Sequence, residues 1–502
     1  MRAWWNTLRT TFDPRSLAFF ASVYLGLKGG AGGLLKMAML PLFKMQAGVS
    51  SETFQTYSIV VMAPWALKPI AGLADKYTLW GSNKSAYIGI AAIVGTAATA
   101  AFAANAQSIA QFPNAMVALA AIANTQIAVT DLLAEGSYAQ LMRDAPQSGS
   151  ALVSYVWGIA FMAQILVAIV AGPVADDGNA HLLIAAAVPL MAQAAVPPLA
   201  NWVKEERPQK HSVKQWMVKM VVVVVAATGA ITAAAVQNNA AVKVAAAATV
   251  ACTIAAAAWA FMPQTLRGVA LYTFVAIASQ LQFGGPLDYF YTASEECVRN
   301  GPKFSMTFYL TTAPLVAAVC GAAGVAVFET TMSNWTFRSI FRFTTVLMCA
   351  VAAVDVVIVT RTNLRWGIPD RAAYLGGNAC MGAVVMMMHT VPLAVLTSKM
   401  CPDGAETMVY AIVAGMQNLG AAVAGVGGAG IAQMVNVSLS DASCDHTLLP
   451  EILIAGTIAM PMLVALPLTW ILIPSNVGVR DSLVHDPTQT GTAPTTPRKA
   501  PA

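Results

Sequence analysis

The sequence contains very little charge. Only 10% of its 502 residues are Asp, Glu, Lys or Arg, whereas charged residues make up about a quarter of a typical soluble protein. Hydrophobic residues account for 57% of the chain, and its mean hydropathy is +0.64. A soluble globule cannot cover this much apolar surface, so the composition indicates a membrane protein.

Motifs of catalysis are also missing. The sequence has no nucleophile elbow, no phosphate-binding loop, no dinucleotide fingerprint and no pair of metal ligands at a recognisable spacing. These absences argue against an enzyme, a cofactor and a bound metal. The net charge of +5 follows from membrane topology, as described below, and does not indicate a nucleic acid partner.

Apolar segments long enough to cross a membrane are frequent. A helix needs roughly 20 apolar residues to cross about 30 Å of hydrocarbon. We therefore expect an all-α polytopic membrane protein. The sequence predicts fourteen spans, at residues 17–42, 53–74, 84–105, 113–136, 149–172, 181–200, 216–236, 241–262, 266–284, 305–328, 340–360, 371–398, 405–434 and 450–473.

The basic residues are distributed unevenly between the loops. Lys and Arg are retained on the cytoplasmic side of a membrane. With the N-terminus inside, 18 basic residues are cytoplasmic and seven are external. This predicts cytoplasmic N- and C-termini, with residues 1–16 as a short polar N-terminus. Residues 475–502, rich in Thr and Pro, are expected to form a disordered cytoplasmic tail.

Two of the seven cysteines fall in predicted external loops. Cys297 lies in the loop 285–304 and Cys444 in the loop 435–449. A disulfide between them is compatible with an oxidising compartment. Two free thiols are equally compatible, because the sequence does not supply the distance that a bridge requires.

Three segments resemble a known family of transporters. Residues 64–75 read PWALKPIAGLAD, and residues 131–139 read DLLAEGSYA. In the second half, IPD at 368–370 is followed by KMCPDGAETM at 399–408 and QNLG at 417–420. These segments resemble the folate-biopterin transporter family of the major facilitator superfamily, and the DLLAEGSYA segment most resembles the pteridine transporters of trypanosomatid protozoa.

The resemblance implies a fold and a division of the chain. It implies two six-helix bundles, at residues 17–200 and 266–474, joined by residues 201–265. Twelve spans are usual in the superfamily, so the two extra spans within 201–265 are interpreted as an inserted hairpin, with twelve spans as the alternative.

The resemblance also implies a function. It indicates import of a pteridine such as folate or biopterin, with protons as the coupling partner, by a monomer in the plasma membrane that works by alternating access. A transporter of S-adenosylmethionine is the first alternative, because the acidic residues discussed next suit a cationic cargo as readily as a proton. A sensor or scaffold that transports nothing is the second alternative, and the short tail argues against it.

Ionisable residues inside predicted spans are candidates for function, because they are costly in the membrane. Asp131 and Glu135 are four residues apart and so share a helix face. Such a pair can hold a proton, and Glu135 is the better candidate for the proton site. Alternatively Lys68, in a neighbouring span, neutralises Asp131 as a fixed packing or gating pair, which is the preferred interpretation.

Lys28 is surrounded by glycines in the segment GLKGGAGG at residues 26–33. Glycine lets a backbone bend or approach a ligand, and a lysine at this depth would attract the glutamate carboxylates of folate. The alternative is that the glycines allow close helix packing and that Lys28 either snorkels towards the membrane interface or pairs with an acid. The sequence does not choose between the two.

A flat pterin ring needs aromatic surfaces and hydrogen-bonding side chains. The candidate substrate-binding residues, besides Lys28, are Trp157, Gln164, Gln280, Gln282 and Gln417.

Asp75, at the end of the segment 64–75, resembles the acidic residue of a superfamily loop that acts as a hinge in gating.

Overall fold

The computed structural model describes residues 2–77, 83–145, 148–205, 214–400, 406–439, 444–475 and 477–479. Within these ranges the chain is helical apart from short connections and one two-stranded sheet. In that sheet β1 (Ser438–Leu439) pairs antiparallel with β2 (Cys444–Asp445). The predicted all-α architecture is therefore confirmed.

The first part of the chain contains the following α-helices: α1 (Arg2–Thr11), α2 (Pro14–Ala21), α3 (Gly32–Leu40), α4 (Ser51–Ala66), α5 (Lys68–Tyr77), α6 (Lys84–Asn105), α7 (Pro113–Asp144), α8 (Gly149–Asp176), α9 (His181–Ala192) and α10 (Val196–Leu199). Shorter stretches extend or connect them, as π-helix at Ser22–Ala31 and Pro41–Gln46 and as 3₁₀ helix at Ala106–Ser108 and Gln193–Ala195.

The second part begins with two long helices, α11 (Gln215–Ala235) and α12 (Ala240–Phe261). The remaining α-helices are α13 (Gln264–Ala278), α14 (Gly284–Tyr291), α15 (Ala313–Val327), α16 (Phe337–Val359), α17 (Thr362–Arg365), α18 (Asp370–Tyr374), α19 (Gly382–Met400), α20 (Glu406–Met434), α21 (Leu449–Leu453), α22 (Met460–Leu463) and α23 (Ala465–Leu472). Four π-helical stretches lie among them, at Thr307–Thr312, Phe328–Met332, Leu375–Met381 and Ile454–Ala459.

Twelve helical segments in the described part of the chain are long and apolar enough to cross a membrane. They coincide with twelve of the fourteen predicted spans. The other two predicted spans, 53–74 and 266–284, are each interrupted. The first is divided at Leu67 into α4 and α5, where Pro64 and Pro69 remove backbone donors. The second is divided between α13 and α14 by a non-helical segment.

The backbone of the segment that separates α13 from α14 is satisfied by other helices. Leu281 N donates to Gly456 O at 3.0 Å, and Gln282 N donates to Ala424 O at 3.2 Å. Buried peptide groups in a membrane protein require such partners. The break is therefore held by its surroundings and does not leave unsatisfied peptide groups at these two positions.

The first and second parts of the chain contact each other along two seams. Helix α4 packs against α20, and α8 packs against α15 and the preceding π-helix Thr307–Thr312. Helices α11 and α12 pack against each other and against α20. The predicted division of the chain at residues 201 and 265 stays a prediction.

Cys297 and Cys444 form a disulfide with an S–S distance of 2.02 Å. The sequence left the bridge and the free thiols equally open. The bridge joins the loop after α14 to β2, and we call this end of the molecule the disulfide end. The predicted tail lies outside the described residues, apart from residues 475 and 477–479.

Candidate functional site

Two lysines and two carboxylates from three helical segments meet inside the first part of the chain. Lys28 Nζ donates to Asp131 Oδ1 at 2.9 Å, and Lys68 Nζ donates to Asp131 Oδ2 at 2.7 Å. Lys68 Nζ also contacts Glu135 Oε2 at 3.2 Å. The formal charges of these four residues, which we call the charge cluster, cancel.

Burial differs strongly within the charge cluster. The side chains of Asp131 and Lys68 are 0% and 3% exposed, whereas those of Glu135 and Lys28 are 24% and 36% exposed. Both oxygens of Asp131 are occupied by lysines. The inner pair is therefore enclosed, whereas the two outer side chains keep part of their surface exposed.

Local structure brings these residues together. Asp131 and Glu135 project from one face of α7, because positions four apart lie one turn apart on a helix. Lys68 is the first residue of α5, directly after the break at Leu67. Lys28 lies in the π-helix Ser22–Ala31, a type of helix that is frequent at functional sites.

The glycines around Lys28 permit close helix packing. A Cβ at Gly29 would lie 2.4 Å from the Cβ of Ala163 in α8, and one at Gly26 would lie 2.6 Å from Nε2 of Gln193. Both distances are shorter than van der Waals contact. The geometry at these two glycines thus agrees with the packing interpretation, and Lys28 does pair with an acid.

Aromatic rings cover both ammonium groups. The Trp65 ring lies 5.5 Å from Lys28 Nζ and 4.9 Å from Lys68 Nζ, and the Tyr24 ring lies 5.4 Å from Lys28 Nζ. Cation–π contacts of this kind stabilise a desolvated lysine by about 2 kcal/mol. Sequence reasoning did not select Trp65 or Tyr24 as site residues, although Trp65 belongs to the quoted PWALKP motif.

Trp65 also connects the charge cluster to the second part of the chain. Its Nε1 donates to Asn124 Oδ1 at 3.2 Å, and its carbonyl oxygen accepts a hydrogen bond of 3.3 Å from Asn418 Nδ2 of α20. The charge cluster therefore lies next to the seam between the two parts of the chain.

Two of the predicted substrate residues lie on α8, which contributes no residue to the charge cluster. Trp157 is exposed, with its ring 6.2 Å from that of Phe161, and Gln164 is exposed. Phe161 faces Gly321 of α15, where a Cβ would lie 3.5 Å from its ring. Positions 157, 161 and 164 share a helix face, so Trp157 and Gln164 lie on the face of α8 that turns towards α15.

The remaining predicted residues differ in their surroundings. Gln282 acts through its backbone, since its carbonyl oxygen accepts from Gln55 Nε2 at 2.7 Å. Gln280 and Gln417 are half-buried, and no hydrogen bond of their side chains is found among the described residues. Asp75 lies in α5, but its side chain is outside the described part of the structure.

Two packed sets of membrane helices, with ion pairs beside the seam between them, are the architecture of a secondary membrane transporter. Solved structures share this fold. The crystal structure of a D-xylose-proton symporter matches with a TM-score of 0.54 at 13% identity, covering 93% of this chain and 99% of that chain. A POT family transporter in complex with 5-aminolevulinic acid gives a TM-score of 0.59 at 12% identity, covering 91% and 95%. The predicted major facilitator fold is confirmed.

Sequence comparison identifies the family within this class. The BT1 family profile matches residues 28–490, so the chain belongs to the BT1 family. The folate-biopterin transporter of Synechocystis sp. is 22% identical over 397 residues, which cover 78% of this chain and 69% of that protein. Probable folate-biopterin transporter 4 of Arabidopsis thaliana is 27% identical over 130 residues, which cover 26% of each chain. The predicted family is confirmed, and its members are transporters rather than enzymes.

Proposed function

We propose that this protein is a proton-coupled importer of a pteridine that carries a carboxylate, with folate as the type example. The observation that carries the proposal is the position of Lys28. Its ammonium group is bound to Asp131, yet its side chain remains 36% exposed. An anionic substrate can therefore reach this lysine without dismantling the buried pair of Lys68 and Asp131.

Charge balance favours this substrate over S-adenosylmethionine. A cationic cargo would need a carboxylate that is not already neutralised. Asp131 is bound by two lysines and Glu135 by one, so the charge cluster has no surplus negative charge. A substrate carboxylate can instead replace Asp131 as the partner of Lys28, while Lys68 continues to hold Asp131.

Proton coupling follows from the same charge balance. Binding of a substrate anion at Lys28 adds negative charge to a cluster that was neutral. Two carboxylates near one another in a low dielectric repel, and a proton relieves the repulsion. Glu135 is the more exposed of the two acids, and we infer that it takes this proton. Substrate and proton then bind together and leave together.

The remaining assignments complete the proposal. We place the disulfide end outside the cell, because disulfides persist in oxidising compartments, and both termini inside. The protein works as a monomer in the plasma membrane by alternating access. Trp157 and Gln164, on the face of α8 towards α15, are assigned to the substrate pathway, together with Gln280, Gln282 and Gln417.

Uptake measurements test the proposal directly. Cells without their own pteridine uptake, expressing this protein, should accumulate labelled folic acid faster at acidic external pH. They should accumulate no labelled S-adenosylmethionine above the level of cells carrying an empty vector. Accumulation of S-adenosylmethionine alone would establish the alternative substrate and refute the proposal.

Glu135→Gln is expected to separate proton-driven accumulation from exchange. Glutamine keeps the size of the side chain and a hydrogen-bond acceptor for Lys68, but it cannot take a proton. We expect accumulation against a gradient to be lost, while counterflow of labelled for unlabelled folic acid continues. Both are measured in proteoliposomes with an imposed pH gradient. Normal accumulation by Glu135→Gln, with an unchanged dependence on pH, would remove Glu135 as the proton site.

A further inference from the structure

A second group of ionisable residues lies near the disulfide end, in the second part of the chain. The Tyr291 hydroxyl donates to Asp355 Oδ1, and Asn378 Nδ2 donates to the same oxygen at 2.5 Å. The Tyr309 hydroxyl donates to Asp288 Oδ1 at 2.5 Å. We call these five residues the tyrosine-carboxyl cluster.

The tyrosine-carboxyl cluster has more acceptors than donors. Among the described residues, no hydrogen bond ends on Oδ2 of Asp355 or of Asp288. In the described part of the chain, the amide oxygen of Asn378 is buried and has no hydrogen-bond partner. A buried acceptor without a donor is costly, so this oxygen is suited to a ligand that supplies a hydrogen-bond donor.

The two carboxylates of the tyrosine-carboxyl cluster are not paired with basic side chains, since no ion pair among the described residues includes Asp288 or Asp355. This contrasts with the charge cluster, where protonating Asp131 would leave two lysines without their counter-ion. A proton can bind Asp355 or Asp288 without releasing a cation, since their partners are neutral hydroxyl and amide groups.

Other titratable groups around the two carboxylates are few. Tyr374 packs against the Tyr291 ring at 4.9 Å, and Lys36 and Lys44 contribute a longer-range charge interaction with Asp288. Arg361 and Arg371 are engaged by other residues. Arg361 forms an ion pair with Asp370 at 2.6 Å, and the guanidinium group of Arg371 lies over the Phe308 ring, 5.5 Å from its centre.

Helix α14 connects this cluster to contacts between the two parts of the chain. Lys44 Nζ donates to Thr292 O at 2.9 Å and to Thr292 Oγ1 at 2.6 Å. The Tyr289 hydroxyl donates to Val49 O at 2.7 Å. We call these contacts the latch. They hold the end of α14 against the segment between α3 and α4.

The two sets of contacts use neighbouring faces of one short helix. Asp288 and Tyr291 of α14 belong to the tyrosine-carboxyl cluster, and their spacing of three places them on one side of the helix. Tyr289 of α14 and Thr292, which directly follows the helix, make the latch. A movement of α14 that follows a change at one face is therefore transmitted to the other within a single turn.

We propose that the tyrosine-carboxyl cluster binds a proton from the aqueous phase at the disulfide end, and that this proton releases the latch. The inference rests on the proposed proton-coupled import and adds a second proton site to it. In the ionised cluster, the tyrosine hydroxyls donate charge-assisted hydrogen bonds, which are about twice as strong as neutral ones. The proton converts them to neutral bonds, α14 is held less tightly, and the latch opens to the outside.

Hydrogen-deuterium exchange of the protein in lipid nanodiscs tests the proposal without any substrate. After correction for intrinsic exchange rates, the wild-type peptide covering residues 284–304 should exchange faster as the pH is lowered through a single transition. Asp355→Asn mimics the protonated carboxyl. It should exchange at the fast rate at every pH and show no transition.

Tyr291→Phe is the second variant, and Asp177→Asn is the matched control. Removing the Tyr291 hydroxyl withdraws a donor from the carboxylate and favours the protonated form, so the transition should move by about one pH unit towards alkaline pH. Asp177 is an exposed carboxylate near the same end, and Asp177→Asn should retain the wild-type transition. This pair of comparisons remains informative if Asp355→Asn does not fold.

The outcomes separate this inference from the proposed function. If the wild-type peptide shows no transition, or if Asp355→Asn and Tyr291→Phe both retain the wild-type transition, the tyrosine-carboxyl cluster does not control the latch. Uptake of folic acid by the wild type would then still support the proposed function. If the transition behaves as expected but no pteridine is transported, the proton site stands and the proposed substrate is wrong.

Discussion

Asp131→Asn is expected to abolish transport and to lower the thermal stability of the purified protein more than any other single change in the charge cluster. Asp131 is fully buried and neutralises two lysines at 2.9 and 2.7 Å. Removing one partner of a buried ion pair costs about 3–5 kcal/mol, because an uncompensated charge remains. Thermal unfolding in detergent and uptake of folic acid measure the two effects.

A double-mutant cycle provides the control. Lys68→Met combined with Asp131→Asn removes the buried lysine together with the buried carboxylate. We expect the double variant to be destabilised by less than the sum of the two single variants, because the buried ammonium group of Lys68 is then removed together with its counter-ion. Additive losses would mean that Lys68 and Asp131 do not stabilise one another. Wild-type stability of Asp131→Asn would contradict the structural role of the cluster.

Hydropathy was sufficient to predict most of the helices, because a membrane requires long uninterrupted apolar segments. It did not predict the break at Leu67, which makes Lys68 the first residue of α5. The two prolines nearby were visible, but prolines are also tolerated inside membrane helices. Nor did the glycine-rich segment around Lys28 predict a π-helix, since a π-helix differs from an α-helix only in the hydrogen-bond spacing of its backbone, five residues instead of four.

The contacts of the charge cluster were only partly visible in the sequence. Lys68 and Asp131 were expected to meet because a buried cation needs an anion at similar depth. Lys28 was expected to contact a ligand, to snorkel towards the membrane interface or to pair with an unspecified acid. Its partner is 103 residues away in the chain, and the rotation of each helix about its axis decides which side chains meet. Rotation depends on packing over the whole helix, such as the contact of Gly29 with Ala163, and hydropathy alone does not determine it.

The tyrosine-carboxyl cluster shows the same limit more clearly. Its members come from four separate helical segments, and two of these, around Tyr309 and Asn378, are π-helical. The sequence shows Asp355 as a charged residue near the end of the predicted span 340–360. Its partners Tyr291 and Asn378 carry no charge, so a search of the spans for charged residues does not find them.

Lys28→Met is expected to weaken binding of folic acid by about tenfold or more, which corresponds to one charge-assisted hydrogen bond in a partly exposed site. Binding of biopterin should change far less, because biopterin has no glutamate carboxylates. Asp131 retains Lys68 as its partner at 2.7 Å in this variant, so folding should be preserved. Affinities are measured by competition of unlabelled folic acid and biopterin against a labelled ligand in membranes.

Two further variants make the comparison specific to the ammonium group of Lys28. Lys28→Arg keeps the positive charge and should recover most of the folic acid affinity. Lys36→Met removes an exposed lysine two turns further along the same span and should leave both ligands unaffected. Equal losses for folic acid and biopterin in Lys28→Met would assign Lys28 to folding or gating. Unchanged folic acid affinity in a folded Lys28→Met protein would remove it from the substrate site, because no other exposed residue of the charge cluster carries positive charge.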